Sequence, residues 1–268
     1  MSALRQLLKS TFNATLPPSW LLIQGPRSTA TSGRVEVALT IDDGPHPGHT
    51  PRVLDLLAAT GMKATFFVVG DSCRRYPDVI RRIANEGHEL GNHTWSHGEP
   101  TKISSATFLR ETQQTRQLLQ DLTGHDCRLT RPPKGDLTLG KMLGLWRQQQ
   151  TIVLWNVDTK DYAMHDRDEM LRWCDSYQPH GGDIVLLHDD QPYSATFLEC
   201  LAVKADTQTH FVTVSNWLNN AAQSHLRSHH APRDEPSVAG LNSSLDSELI
   251  SQTESKDALL VTRSVTAT

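Results

Sequence analysis

Two adjacent acids, Asp42 and Asp43, directly follow a short apolar and β-branched stretch at residues 35–41. Neighbouring carboxylates repel each other unless a cation or a shared proton relieves the repulsion. Alternation along an extended backbone points the two side chains in different directions, so one is suited to binding a metal and the other to accepting a proton. The alternative is an ordinary turn, because Asp-Gly-Pro sequences are common in loops.

A pair of histidines, His93 and His97, has the spacing of two ligands on one metal ion. Residues four apart lie on the same side of a helical turn. An exposed pair without a ligand is the alternative explanation of this spacing taken alone. Two histidines and one carboxylate form a common hydrolytic zinc set that leaves one coordination position open for water. The histidines and one of the two acids are therefore candidates for a metal site.

Three further polar clusters follow predicted strands. Arg131 ends a short strand and is suited to holding a carboxylate through paired hydrogen bonds. A polar run at residues 158–162 follows another strand, and His188 ends the most apolar strand of the chain. Taken singly, these residues are explained at least as well by a surface ion pair, a polar loop and a histidine in the core. Together with the acids and the histidines, they would supply a base, a metal triad, an orienting arginine and an acid.

Strands and helices alternate along the chain, which predicts a parallel sheet covered by helices. In such folds, functional residues collect at the carboxyl ends of the strands, where all five clusters lie. We expect Gly61 to end the first helix and Gly70 to close the second strand. The predicted strands are residues 35–41, 64–69, 88–91, 129–131, 151–157, 183–187 and 210–214. The predicted helices are residues 50–60, 77–86, 104–122, 137–149 and 168–177, and residues 194–206 are ambiguous.

The sequence divides into three segments. Residues 1–33 form a lead-in without identifiable chemistry, residues 34–221 form the catalytic domain, and residues 222–268 form a tail. No Phe, Trp or Tyr follows Trp217, and the tail is rich in Ser, Thr, Asp and Glu. A segment with so few large apolar side chains cannot bury a core, so we expect the tail to be disordered.

The composition excludes several classes of protein. The 268 residues carry 26 basic and 30 acidic side chains, a formal net charge of −4, without the basic stripe of a nucleic-acid-binding protein. No stretch approaches the ~20 apolar residues of a membrane span. The N-terminus lacks the apolar run of ~7–15 residues that is typical of a signal peptide, which favours a cytoplasmic location.

The four cysteines are Cys73, Cys127, Cys174 and Cys200. They form no CxxC pair, which argues against a thiolate zinc site. Their even number would allow two disulfides. The size of the chain instead favours free, partly buried thiols in a reducing compartment.

The five clusters, in their order, make the chain similar to the polysaccharide deacetylase family, carbohydrate esterase family 4. The resemblance spans roughly residues 34–220 and rests on the segments 40–45, 93–97, 131–135, 158–162 and 186–188. It implies a distorted (β/α) barrel. It also implies a divalent metal, usually zinc with cobalt or nickel as alternatives, bound by Asp43, His93 and His97.

The same resemblance implies roles for four more residues. Asp42 would be the general base, and Arg131 would orient it. His188 would be the general acid, and Asp161 would tune it. These roles divide proton removal and proton donation between two side chains on different strands.

Three residues would lie at the substrate if the resemblance holds. Leu186 would line the pocket for the acetyl methyl group. Lys134 stands where the family often has an aromatic residue, and Tyr162 stands where it often has a tryptophan. Both positions neighbour the sugar groove in the family. Tyr162 still offers a flat face to a sugar, whereas Lys134 leaves the glycan specificity open, although its backbone N–H would still be able to stabilise an oxyanion.

The predicted activity is removal of N-acetyl groups from an acetylated sugar or polysaccharide, with release of acetate. The predicted partner is an N-acetylated carbohydrate, and neither nucleic acid nor a membrane span nor a particular protein partner is expected. Two alternatives remain open from the sequence. One is a metal-dependent amidase that acts on a small non-sugar substrate with the same residues, and the other is a catalytically inactive carbohydrate-binding relative.

Overall fold

A parallel β-sheet with helices around it forms the molecule, in a computed structural model that describes residues 16–27, 35–191, 193–204 and 209–218. The strands are β1 Leu21–Leu22, β2 Val35–Asp42, β3 Thr65–Val68, β4 Glu89–Asn92, β5 Leu129–Thr130, β6 Thr151–Val153, β7 Val157–Asp158, β8 Ile184–His188 and β9 Thr209–Val212. The helices are α1 Thr50–Thr60, α2 Gly70–Arg75, α3 Pro77–Asn85, α4 Ser105–Thr123, α5 Leu139–Arg147, α6 Arg167–Ser176 and α7 Ser194–Lys204. The expected tail at 222–268 and both segment boundaries lie outside the described residues, so they stay predictions.

The order of the strands shows that the sheet is curved. Neighbouring strands follow the order β1-β6-β5-β4-β3-β2-β8-β7, and β9 also pairs with β2. β6 and β7 lie near opposite ends of this order, although only residues 154–156, here called the seam segment, separate them in the chain. Because four extended steps span at most about 14 Å, the sheet must bend until its ends approach each other. The predicted barrel is confirmed as a half-barrel covered by helices, whereas the prediction of one strand over 151–157 is wrong.

Alternation along β2 separates the two faces of the sheet. Val37, Leu39 and Ile41 are buried in the core that the sheet shares with α1. Full burial of one such side chain stabilises a fold by about 1.5–3 kcal/mol. Helix α1 ends as predicted at Gly61, whose φ of 70° is left-handed and favours glycine. The outer face of the sheet thus fixes the position of β2 against the helix layer.

The opposite face of β2 lines the interior of the barrel. Ala38, Thr40 and Asp42 follow one another along this face, because every second side chain points the same way. Their cross-strand partners on β8 are Ile184, Leu186 and His188. The interior is therefore apolar at the start of these strands and becomes polar toward their carboxyl ends.

Gly70 and the segment 21–22 have structural roles that the sequence analysis did not specify. Gly70 does not simply close β3 but begins helix α2, and a Cβ atom at this position would lie 2.4 Å from Thr115 Oγ1. This close approach to α4 explains why glycine stands there. Leu21 and Leu22, assigned to the lead-in, form β1 and pair in parallel with β6. The ambiguous stretch 194–206 contains helix α7.

The cysteines fall into two classes. Cys174 of α6 and Cys200 of α7 form a disulfide, so the prediction of free thiols is wrong for this pair. The two cysteines are 26 residues apart in sequence, and only the packing of α6 against α7 brings them together. Cys73 and Cys127 are free and buried. Among the described residues, no helix has both the length and the apolar character to cross a membrane.

Candidate active site

The predicted site residues lie at the carboxyl ends of five strands. They end or follow β2, β4, β5, β7 and β8. These strands are neighbours in the sheet, with only β3 inserted between β4 and β2. All strands are parallel, so their carboxyl ends share one edge of the sheet, and the fold brings the five clusters together there.

Asp43, His93 and His97 place three ligand atoms around one point. Asp43 Oδ1 lies 3.3 Å from His93 Nε2 and 3.2 Å from His97 Nε2. All three atoms lie within 4.8 Å of one another, and no other group of three or more metal-ligating side chains is found within the described ranges. A carboxylate oxygen and two imidazole nitrogens are a common donor set for zinc and similar divalent metals.

The hydrogen bonding around this triad fits a cation. His93 Nδ1 lies 2.7 Å from the carbonyl oxygen of Arg131, and because a carbonyl only accepts, Nδ1 must carry the hydrogen. In the neutral ring, Nε2 then presents a lone pair toward Asp43 Oδ1, which is buried and has no hydrogen-bond partner in the described part of the chain. Two acceptors at this distance repel each other unless a cation relieves the repulsion. The residues therefore fit a divalent metal.

The pKa shifts of Asp43 and His97 agree with this role. Burial raises the pKa of Asp43, but the contact with His93 and the charges of the nearby histidines lower it overall, so the carboxylate is ionised. Burial lowers the pKa of His97, and the neighbouring His93 lowers it as well. A metal ligand must be a carboxylate or a neutral imidazole, and these shifts favour that form for Asp43 and for His97. Burial lowers the pKa of His93, but the charges of Asp42 and Asp43 raise it overall, so a cation that binds there must displace a proton from His93.

The two histidines are brought together by a loop and not by the helical turn that their spacing suggested. Residues 93–97 form a loop after β4, and Thr94 and His97 have positive φ angles of 68° and 50°. Asp43 also has a positive φ, 75°. Non-glycine residues rarely adopt this region, and they cluster at functional sites where the surrounding structure holds them. The loop backbone, rather than helical periodicity, sets the convergence.

Asp42 is held by an arginine that is fully buried. Arg131 Nη1 donates to Asp42 Oδ1 at 2.6 Å. Its other two nitrogens donate to the carbonyl oxygens of Val153 and Leu154 at 3.2 and 3.1 Å. Asp42 Oδ2 faces the triad, 3.8 Å from His93 Nε2. The expected contact between Arg131 and Asp42 is present, and it directs the second carboxylate oxygen toward the candidate metal site.

His188 and Asp161 form a second pair on the other side of β2. His188 Nδ1 lies 2.8 Å from Asp161 Oδ1, and the backbone N–H of His188 donates to Asp161 Oδ2 at 2.7 Å. Burial lowers the pKa of His188, but the hydrogen bond and charge of Asp161, with Asp42 and Asp43, raise it to about 9. The ring is therefore protonated near neutral pH, and Nε2 lies on the ring edge away from Asp161, as a general acid requires.

The three residues expected at the substrate lie in different surroundings. Leu186 is 2% exposed and shares the interior face of β8 with His188. The Tyr162 ring stands edge-on to His188 at a centroid distance of 5.4 Å. Lys134 does not join the triad, because its Nζ lies 2.6 Å from Glu99 Oε2 in an exposed ion pair. Two of the three thus flank the candidate acid.

Sequence reasoning missed three polar side chains that support the site. Thr40 Oγ1 accepts from Arg131 Nη1 at 2.9 Å, and its place two residues before Asp42 on the same strand face could have identified it. Asn92 accepts from the backbone N–H of Thr94 and is adjacent to the first histidine. Glu99 had no local signal, since its partner Lys134 is 35 positions away.

Burial divides the site into two groups of side chains. The floor consists of four side chains that are each no more than 4% exposed: Asp42, His93, Arg131 and Asp161. The rim consists of three side chains that are each at least 37% exposed: Glu99, Lys134 and Tyr162.

Known proteins share sequence with this chain. The family model described as polysaccharide deacetylase matches residues 29–143. A peptidoglycan-N-acetylglucosamine deacetylase from Bacillus cereus is 37% identical over 146 residues, which are 54% of this chain and 53% of that protein. Another protein of that name from the same organism is 31% identical over 188 residues, 68% of this chain and 87% of that protein. The chain spans about half the length of the first curated relatives that it matches.

Solved structures share the fold. The Bc1960 peptidoglycan N-acetylglucosamine deacetylase superposes with a TM-score of 0.67 at 31% identity, covering 74% of this chain and 92% of that one. BA3943 from Bacillus anthracis, described as a CE4 family pseudoenzyme, superposes with a TM-score of 0.66 at 25% identity, covering 76% of this chain and 70% of that one.

Proposed function

This chain belongs to the polysaccharide deacetylase family, and from that premise we propose that it hydrolyses N-acetyl amide bonds of an acetylated sugar polymer and releases acetate. One observation carries the proposal: a triad suited to a metal lies at the same edge of the sheet as a carboxylate held by Arg131 and an imidazolium held by Asp161. The names of the relatives, peptidoglycan deacetylases, support a polymeric glycan as the substrate class.

We propose that Asp43, His93 and His97 bind a divalent metal, and that the ion is zinc because the donor set favours it. Bound there, such an ion polarises a carbonyl and makes water more acidic. Cobalt and nickel accept the same ligands. Measurement of the metal content of the purified protein, followed by removal and replacement of the ion, decides among them.

Asp42 acts as the general base in this proposal. Arg131 fixes Asp42 Oδ1 and prevents the carboxylate from rotating, so Oδ2 is the oxygen that removes a proton from the attacking water. Attack on the amide carbonyl places negative charge on its oxygen, which needs positively polarised neighbours. In this proposal the backbone N–H of Lys134 is one such donor.

His188 acts as the general acid. An amine anion is a very poor leaving group, so the nitrogen must be protonated as the C–N bond breaks. Asp161 occupies Nδ1, and the proton therefore comes from Nε2. Leu186, on the same strand face, supplies an apolar surface for the acetyl methyl group, and Tyr162 offers the sugar a flat exposed ring.

Acetate release tests the proposal directly. We expect the protein to release acetate from N-acetylated peptidoglycan fragments or chitooligosaccharides, to lose this activity with a chelator, and to regain it when zinc is added. Simple amides of similar size serve as matched controls without a sugar ring. Release that is unaffected by chelation would contradict the metal-dependent mechanism.

Two other outcomes correspond to the alternatives from the sequence. Faster hydrolysis of simple amides than of any glycan would identify an amidase on small substrates. Glycan binding without metal and without acetate release would identify a pseudoenzyme, as BA3943 is described. Asp42, His188 and the complete triad are all present in this chain, which favours the active enzyme.

The cellular compartment of the protein is also a proposal. The cytoplasmic location predicted from the N-terminus stays a prediction. The disulfide between Cys174 and Cys200 argues against it, because disulfides persist mainly in oxidising compartments. We therefore propose an oxidising environment, and a thiol count on unreduced protein isolated from its source, two rather than four, would support it.

A further inference from the structure

A buried carboxylate that the proposed reaction does not use lies behind the two adjacent acids. Asp189 directly follows His188 and is completely buried. Its Oδ2 accepts a hydrogen bond from Thr50 Oγ1, whereas its Oδ1 is buried without a hydrogen-bond partner among the described residues. Burial of an incompletely bonded carboxylate destabilises a fold, so a role is needed to explain why this side chain stands here.

Asp189 contacts the chain on both sides of Asp43. Its backbone N–H donates to the carbonyl oxygen of Asp42 at 3.3 Å. Its side chain packs against Gly44, where a Cβ atom would lie 2.4 Å from Asp189 Oδ2. The contact requires glycine at position 44, because any other side chain would collide with the carboxylate.

The same turn is tied to two other elements. The carbonyl oxygen of Gly44 accepts from the backbone N–H of Val69 at 2.8 Å. Thr50, the first residue of α1, accepts from the backbone N–H of His46 at 2.7 Å through the hydroxyl that donates to Asp189. The loop from Gly44 to Thr50 is thereby closed on itself and joined to the end of β8. Asp189 is the side chain at which these connections meet.

Asp43 needs such support, because its φ of 75° is unfavourable for a residue with a side chain. A conformation of this kind persists only where the surroundings hold it. We propose that Asp189 is a positioning residue that holds Asp43 in its metal-binding conformation, through Gly44 and through Thr50. This inference rests on the proposed metal site but not on the identity of the substrate.

Zinc affinity is the decisive measurement, made by competition with a chromogenic chelator on the full chain. We expect Asp189→Ala to bind zinc about 10–100-fold more weakly, as is typical when support of a metal ligand is lost. Asp189→Asn keeps the size of the side chain and an acceptor for Thr50, so it should recover part of the affinity. Asp168→Asn provides the control, because it removes an exposed charge on α6 and should leave the affinity unchanged.

Thr50→Val provides an independent variant, since it removes the hydroxyl that donates to Asp189. We expect weaker zinc binding here too. The loss in the double variant with Asp189→Ala should be smaller than the product of the two single losses, because both act through one contact. If Asp189→Ala does not fold, Thr50→Val and Asp189→Asn decide the question.

A lower melting temperature together with wild-type zinc affinity in Asp189→Ala would show that Asp189 is merely structural. Wild-type zinc affinity in Thr50→Val would show that Thr50 does not help to hold Asp43. If wild-type protein binds zinc but releases no acetate from any glycan, the proposed activity fails while the zinc comparison still stands. If wild-type protein binds no zinc, both proposals fail.

Discussion

The floor and the rim of the site differ in how many contacts hold each side chain. Arg131, on the floor, donates to two side-chain oxygens and two backbone carbonyls. Lys134, on the rim, has one exposed ion pair with Glu99, and such pairs contribute about 0–1 kcal/mol. Removing one partner of a buried ion pair costs about 3–5 kcal/mol. The proposed chemistry is therefore held by interactions that tolerate little change, whereas the rim, which would meet the sugar in the proposed function, is free to vary.

The largest effect is expected from the floor residue that is also a proposed metal ligand. His93→Ala removes one of three ligand atoms, and its turnover should fall to that of the chelated wild-type protein. Bound zinc and acetate release are measured on the same preparation. A variant that retained stoichiometric zinc would show that His93 is not a ligand.

A smaller but still large effect is expected at the proposed base. Asp42→Asn should retain zinc, because Asp42 is not part of the triad, and should lose about 10²–10⁴-fold in turnover. Removing the charge also leaves Arg131 buried without its partner, so folding is monitored by circular dichroism. Near wild-type turnover in a folded, zinc-loaded variant would exclude Asp42 as the base.

The pH profile distinguishes the floor residue Asp161 from a purely structural one. In the proposed mechanism His188 acts in its protonated form, so activity should fall as the pH rises through the pKa of this histidine. Asp161 raises that pKa, and Asp161→Asn should lower it and move the alkaline limb of kcat/KM to lower pH. Asp168→Asn, in an exposed position on α6, serves as the control. If the alkaline limb of Asp161→Asn does not move, Asp161 does not set the pKa at which His188 limits activity.

The smallest effect is expected at the rim. Lys134→Ala should change the free energy of unfolding by no more than about 0.5 kcal/mol, as is usual for exposed positions, and should leave turnover at saturating substrate unchanged. Its effect should appear in KM and should differ between glycans. Glu99→Ala removes the other half of the pair and should resemble it. Loss of turnover on the scale of Asp42→Asn would contradict the division between floor and rim.

Local sequence patterns were sufficient to predict those parts of the fold that depend on residues close together in the chain. Helix α1 has the predicted bounds, because its apolar spacing and Gly61 both lie within the segment. The seam segment was missed, because nothing in the residues themselves shows that the chain leaves one end of the sheet and rejoins the other. The disulfide was missed for the same reason, since helix packing alone joins Cys174 to Cys200.

The candidate site was predictable wherever chemistry and strand ends coincide. The acids, the histidines, Arg131 and His188 lie where parallel strands end, and this placement brings them together. The geometry within the site was not predictable in the same way. His93 and His97 converge through positive φ angles at Thr94 and His97, and backbone angles of this kind are set by tertiary contacts.

The guanidinium of Arg131 has a consequence for how this barrel could change over time. It orients Asp42, and it also binds the carbonyls of Val153 and Leu154, where the chain enters the seam segment. A substitution that loosened the closure of the sheet would therefore also release the carboxylate that we propose as the base. The closure of the sheet and the orientation of Asp42 both depend on this one side chain. We therefore expect that selection for folding alone would retain this arginine.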